Sequence, residues 1–132
     1  MITEDYVSFE IAKLLKEKGF DEPCLMCYTS DKKLGNYGYY RSYKNSDVFS
    51  LTAPTIQMAM KWLREAHKIH IELNWDKGNQ LYDFQIWKPG KYQPEISSLD
   101  LWRIYKDGNY PGEWKYEEAC EEAIKYCLEN LI

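Results

Sequence analysis

The residues on which metal or acid–base chemistry could draw are four cysteines, two histidines and a scatter of carboxylates. Cys24 and Cys27 form a C-x-x-C pair, and a tetrahedral zinc site would need two further ligands from Cys120, Cys127 or His67. The spacing argues against that site. Cys120 and Cys127 lie about two turns apart on the apolar side of a helical pattern, and Cys24 and Cys27 fall on opposite faces of a strand. A redox-active C-x-x-C opens a helix after a strand, whereas here the motif is itself the strand. The thiols therefore read as small buried hydrophobes. His67 and His70 straddle a change of periodicity, and there is no third histidine and no H-E-x-x-H. Nor does the chain contain G-x-S-x-G, a Walker glycine loop or G-x-G-x-x-G. The sequence thus names no catalytic residue, no metal ligand and no cofactor.

Two segments interleave aromatic and basic residues. Between Lys32 and Lys44 stand Tyr37, Tyr39, Tyr40, Arg41 and Tyr43. Rings that stack on bases beside cations that hold phosphates would suit a nucleotide, so Tyr37, Tyr39, Tyr40, Arg41 and Lys44 are candidate ligand-binding residues. The structural alternative is an outer strand whose tyrosines cover a sheet and whose lysines discourage edge pairing. A second cluster, Trp87, Lys88, Trp102, Arg103, Tyr105 and Lys106, contains the residue types that anchor protein contacts. Trp87, Trp102, Arg103 and Tyr105 are the candidate interface residues.

These side chains must be positioned by elements that the periodicity outlines. The clearest stretch runs from Thr52 to Lys88. Ile56, Ala59, Met60, Leu63, Ala66 and His67 recur at three- and four-residue steps, predicting a helix with Pro54 in its first turn and Thr52 or Thr55 as its cap. After Lys68 the period becomes two. Ile69, Ile71, Leu73 and Trp75 alternate with polar residues, and Tyr82, Phe84 and Ile86 do so again beyond a turn at 76–79. That hairpin sets Leu73 opposite Tyr82, Ile71 opposite Phe84 and Ile69 opposite Ile86. The same register faces Glu72 with Asp83 and His70 with Gln85, a face that is either a divalent-cation or acid–base site or a solvated surface.

Elsewhere, Tyr6 to Lys18 reads as a helix capped by Thr3 or Asp5 and closed by Gly19. Cys24 to Thr29 suits a buried strand, 30–36 a turn region, and Tyr37 to Lys44 a second strand. Tyr92 to Ser98 reads as a connector, and Leu99 to Tyr105 as a short strand or a helical turn, with the strand preferred. A final helix from about Lys115 to Leu131 buries Tyr116, Ala119, Cys120, Ala123, Ile124, Cys127, Leu128 and Leu131.

Three stretches, SFEIAKLLKEKGF, APTIQMAMKWLREAH and YEEACEEAIKYCLE, taken in that order, resemble a group of small uncharacterised proteins of Bacteroidales genomes, prophages and related mobile elements. The resemblance covers roughly a third of the chain. It implies a bacterial or phage cytoplasm and transfers no activity and no functional residue.

The expected fold is a single α+β domain over 1–132: an antiparallel sheet of about four strands with helices on one face, in the order α-β-β-α-β-β-α. A net charge of −4 argues against coating nucleic acid through bulk positive charge. The opening MITEDYVSFE lacks a secretory pattern, and no apolar run approaches the ~20 residues that span a bilayer. The surplus is aromatic, with 12 Tyr and 5 Trp. Trp75, Trp87, Trp102 and Tyr126 are more apolar surface than a small core readily absorbs. The expectation is a cytoplasmic, non-enzymatic interaction protein that pairs with itself or with another protein. The alternative is a phage or mobile-element protein that binds or sequesters a nucleotide.

Overall fold

The computed structural model describes residues 1–37, 42–47, 50–97, 100–101 and 114–132. The fold is α+β, as the periodicity predicts. Its elements are α1 (Phe9–Glu17), β1 (Cys27–Tyr28), β2 (Leu34–Gly35), α2 (Ile56–His67), β3 (His70–Asp76), β4 (Leu81–Trp87), β5 (Ile96–Ser97) and α3 (Tyr116–Asn130). The strands form two antiparallel sheets rather than one, β1-β2 and β3-β4-β5.

Helix α3 holds the centre. Ala119, Cys120, Ala123, Ile124, Cys127 and Leu128 are all buried, and the helix packs against α1, α2, β3 and β4. The expected stripe is observed except at its two ends, where Tyr116 and Leu131 are only half-buried against the core. Its first turn is closed by Glu118, whose carboxylate accepts from the Lys115 amide at 3.3 Å.

Helix α1 starts later than the pattern suggests. Ser8 is its cap, accepting from the Ile11 amide at 3.3 Å, in place of Thr3 or Asp5. The residues before it are extended because they have partners there: the Val7 amide donates to Pro54 O, and the Ile56 amide donates to Asp5 O. The C-terminus of α1 matches expectation. Gly19 takes φ +92°, and the Phe20 and Gly19 amides return to Leu15 O and Lys16 O. These two bonds form a Schellman motif that turns Phe20 into the core.

Thr55, not Thr52, caps α2, with its hydroxyl accepting from the Met58 amide at 3.1 Å. Pro54 therefore precedes the cap instead of occupying the first turn. Ile56, Ala59, Met60 and Leu63 are buried, but Ala66 is exposed and His67 only half-buried, because the helix ends before its last turn is covered. Lys68 adopts φ +58°, ψ +31°, and the Ile69 amide closes onto Leu63 O at 3.0 Å. A left-handed Lys68 followed by Ile69 thus joins α2 to β3.

The hairpin forms with the predicted faces and a register shifted by two residues. Residues 77–80 make a four-residue loop that closes on the Asp76–Leu81 pair. Asp76 explains the shift. Its carboxylate accepts from the Gly78 amide at 2.8 Å and from the Asn79 amide group at 3.0 Å. Its carbonyl accepts from the Gln80 amide at 2.8 Å, with Gln80 at φ +56°. Leu73 consequently faces Phe84, Ile71 faces Ile86, and Trp75 faces Tyr82. A slip of two keeps every side chain on its face and exchanges its partner. Ile96 of β5 pairs with Ile86 and extends the buried face. Trp114 returns to bond Tyr82 in both directions and stacks on Phe84, with ring centroids 5.5 Å apart.

The remaining strands depart further from expectation. β2 lies at Leu34–Gly35, inside the expected turn region, and β5 lies inside the expected connector 92–98. In the expected strand 37–44, Tyr43 makes one bridge to Cys24, while 38–41 lie outside the described residues. Asp100 and Leu101 are helical rather than extended. Ser97 Oγ accepts from the Asp100 amide, and the Asp100 carboxylate accepts from the Ser97 amide, so the pair caps a turn where a strand was preferred.

Asn45 ties the first sheet region to α1. It is 8% exposed, donates through Nδ2 to Phe20 O at 2.8 Å and accepts at Oδ1 from the Thr52 amide at 2.9 Å. Replacing it strands a buried carbonyl and a buried amide at once. Asn45→Ala should cost about 2–4 kcal/mol, read as a lower urea midpoint with an unchanged slope.

Candidate functional site

The sulfur chemistry is quiet. Cys24, Cys27, Cys120 and Cys127 are all free and buried. The Cys24 and Cys27 thiols point to main-chain carbonyls of Glu22 and Gly35 at 3.5 and 3.8 Å. Burial pushes the Cys24 and Cys120 thiols up to about 11 and Cys127 up to about 12, and it raises Cys27 as well. Such groups remain protonated at neutral pH and are poor nucleophiles and poor metal ligands. Among the described residues, no three of His, Cys, Asp and Glu come together as a metal ion would require.

The acidic face anticipated on the hairpin is undone by the register. Glu72 faces Gln85, Asp83 faces Asn74, and His70 faces Trp87. Glu72 accepts a hydrogen bond from the indole N–H of Trp87 at 3.1 Å. That contact is a diagonal cross-strand pair, which a ladder shifted by two allows and the expected one does not. Trp87, a candidate interface residue, is therefore half-buried on the outer face with its polar edge engaged. His67 sits edge-on to Trp62, with centroids 4.7 Å apart.

Of the candidate ligand residues, Tyr37 is 53% exposed and donates its hydroxyl to Lys33 O at 3.2 Å. Lys44 is exposed, and its amide donates to the Asp47 carboxylate. Tyr39, Tyr40 and Arg41 lie outside the described residues, as do Trp102, Arg103 and Tyr105. Lys32, from the same basic segment, lies over the Phe9 ring at 5.2 Å from its centroid. Here a cation meets an aromatic face within the protein.

The exposed apolar surface lies elsewhere. Trp75, on β3, is 54% exposed. Met58 and Trp62, one turn apart on α2, line a groove with Pro23, flanked by Glu22, Lys61 and Glu65. The sequence signals for both were present: Trp75 continues the alternation past the end of the core, and Met58 and Trp62 share the helix flank. Tyr126, counted with the surplus aromatics, packs against the core.

One half-buried acid links elements rather than forming a site. Glu121 of α3 accepts from the Ser8 amide at 2.8 Å and from the Ser8 hydroxyl at 2.9 Å, at the N-terminus of α1. Burial nonetheless holds its carboxyl above the ordinary glutamate value, and the Ser8 bonds only partly offset this.

Among the described residues, no helix is long and apolar enough to cross a membrane. Compared with protein-family models, with curated proteins and with solved structures, the chain matches none.

Two outcomes follow from these environments. The four thiols should react with a thiol reagent such as Ellman's only in denaturant, and rapid modification of the native protein would contradict their burial. For Glu121, an acid whose folded pKa is raised leaves the folded state holding more protons than the unfolded one just above the ordinary value. Stability from this group therefore falls as pH rises through that window. Glu121→Gln should remove that slope, visible as a pH-dependent difference between the two melting-temperature curves.

Proposed function

We propose that this protein is a non-enzymatic interaction protein that works by self-association through aromatic surface left outside its core. The observation that carries the reading is Trp75, more than half exposed on a sheet whose neighbouring residues Ile71, Phe84 and Ile86 are buried. An indole is a large apolar payload with one polar atom, and such residues anchor contacts between proteins far out of proportion to their number. Met58, Leu25 and Tyr92 add further exposed apolar surface. The buried thiols and the dispersed carboxylates favour a binding role over a chemical one. Four cysteines, all free, fit a reducing cytoplasm, and the resemblance to prophage and mobile-element proteins fits a bacterial setting.

Sedimentation velocity over a rising concentration series tests this directly. The expected result is a sedimentation coefficient that climbs with concentration while tryptophan emission shifts to the blue. A monomer that persists to high micromolar concentration overturns the reading.

A further inference from the structure

The hydrogen bonds of the hairpin show which way each backbone group of β3 points. Tyr82 exchanges both of its main-chain bonds with Trp114, and Ile86 O accepts from Glu95, so the even residues of β4 face away from β3. In an antiparallel ladder the direction alternates with every residue. Leu81, Asp83, Gln85 and Trp87 therefore bond their partners Asp76, Asn74, Glu72 and His70. The amides and carbonyls of Ile71, Leu73 and Trp75 consequently point the other way, to the outer edge of the sheet. Among the described residues, no strand lies on that edge, and no backbone group bonds these three there.

Edges of this kind are normally guarded by lysine, proline, a bulge or shortness. β3 reads HIELNWD over seven residues, with no lysine and no proline, and its ladder with β4 runs without a bulge. The strand is a template for another strand. Resting on the reading that the protein self-associates, we propose that the partner is a second copy of this chain, joined β3 to β3 by antiparallel edge pairing centred on Leu73.

The charges select both the copy and the register. Outward residues must meet outward residues, so the symmetric registers that keep most of the strand paired centre on 72, 73 or 74. Centring on 72 sets Glu72 against Glu72 of the second copy, and centring on 74 sets Glu72 against Asp76. Like charges directly opposite are destabilising. Centring on 73 avoids both. It pairs Glu72 with Asn74 and His70 with Asp76, a carboxylate against a donor in each case. On the helix-facing side it places Trp75 against Ile71 of the second copy. Ile71, Leu73 and Trp75 each enter a narrow pair, giving on the order of six main-chain bonds in an extended sheet. The exposed indole of Trp75 is thereby covered at both ends of the contact.

The test combines sedimentation velocity with disulfide trapping. Trp75→Pro removes an outward amide without touching a bond to β4, and Trp75→Lys places a guard on the edge while keeping the backbone. Both should weaken the dimer about tenfold or more. Under mild oxidation Leu73→Cys should give a covalent dimer, because the two sulfurs meet across the two-fold. Trp75→Cys, opposite Ile71, should not, and the wild type with its buried thiols should stay uncrosslinked. If the wild type is a dimer and folded Trp75→Lys dimerises as tightly, with Leu73→Cys untrapped, edge pairing is wrong and self-association runs through another surface. A Leu73→Cys variant that stays untrapped while Trp75→Cys crosslinks places the contact in another register and overturns the centring on Leu73. A monomeric wild type overturns both proposals.

Discussion

The close approach of α3 to its neighbours is the constraint on which the rest of the fold depends. Ala119, Ala123, Cys120 and Cys127 are small, and all four have essentially no exposed surface. Small residues let a helix come near enough to α1, α2 and the hairpin for Ile124 and Leu128 to fill the remaining space. A larger side chain at either buried alanine would push α3 away from the elements packed on it. The cysteines belong to this packing, and their raised pKa values are a consequence of it rather than a preparation for chemistry.

Polar contacts then fix where the surrounding pieces begin and end. Ser8 is shared between two roles, with its oxygen capping α1 and its amide and hydroxyl bound by Glu121 of α3. Asn45 does the comparable task at the other end of α1, holding the chain after Phe20 against the chain at Thr52. Both are long-range contacts that satisfy backbone groups no regular ladder reaches. The two-residue strands persist in the same way: the extended segment 24–28 is held by isolated bridges to Tyr43 and Thr52 and by main-chain bonds to Leu51 and Ala53 more than by sheet.

How much of this the sequence reveals follows the same division. The stripe of α3, the Gly19 stop of α1 and the faces of the hairpin are periodic features, and periodicity is local. The register differs from the periodic one by two residues because Asp76 can serve either as the first loop residue or as the last strand residue. Only its side-chain bonds to Gly78 and Asn79 decide. The start of α1 is not legible because Val7 fits the helical stripe and is equally well buried when extended against Pro54. β2 and β5 are two-residue strands, too short to show an alternation, and exist only through their pairing with β1 and β4, while Asn45 owes its role to Phe20, 25 residues away. For the candidate surface, the tryptophan surplus was legible, but which indole stays outside depends on where the helices stop covering the sheet.

The junction at Lys68 shows how α2 and β3 constrain each other. Most helix–strand connections have some slack, and a strand fed from a slack connection can start on either side of its first residue. Here the connection is two residues, Lys68 and Ile69, and Lys68 has both dihedral angles committed, φ +58° and ψ +31°, a conformation that side-chain-bearing residues adopt at a cost. The strand therefore inherits its phase from the helix. With Ile69 pinned to Leu63, Ile71 must point inward, His70 outward and Trp75 to the side of Ile71, before any neighbouring strand has been consulted. A rigid joint of this kind acts as a clock for the alternation, and it makes the hairpin's sidedness a property of where α2 ends.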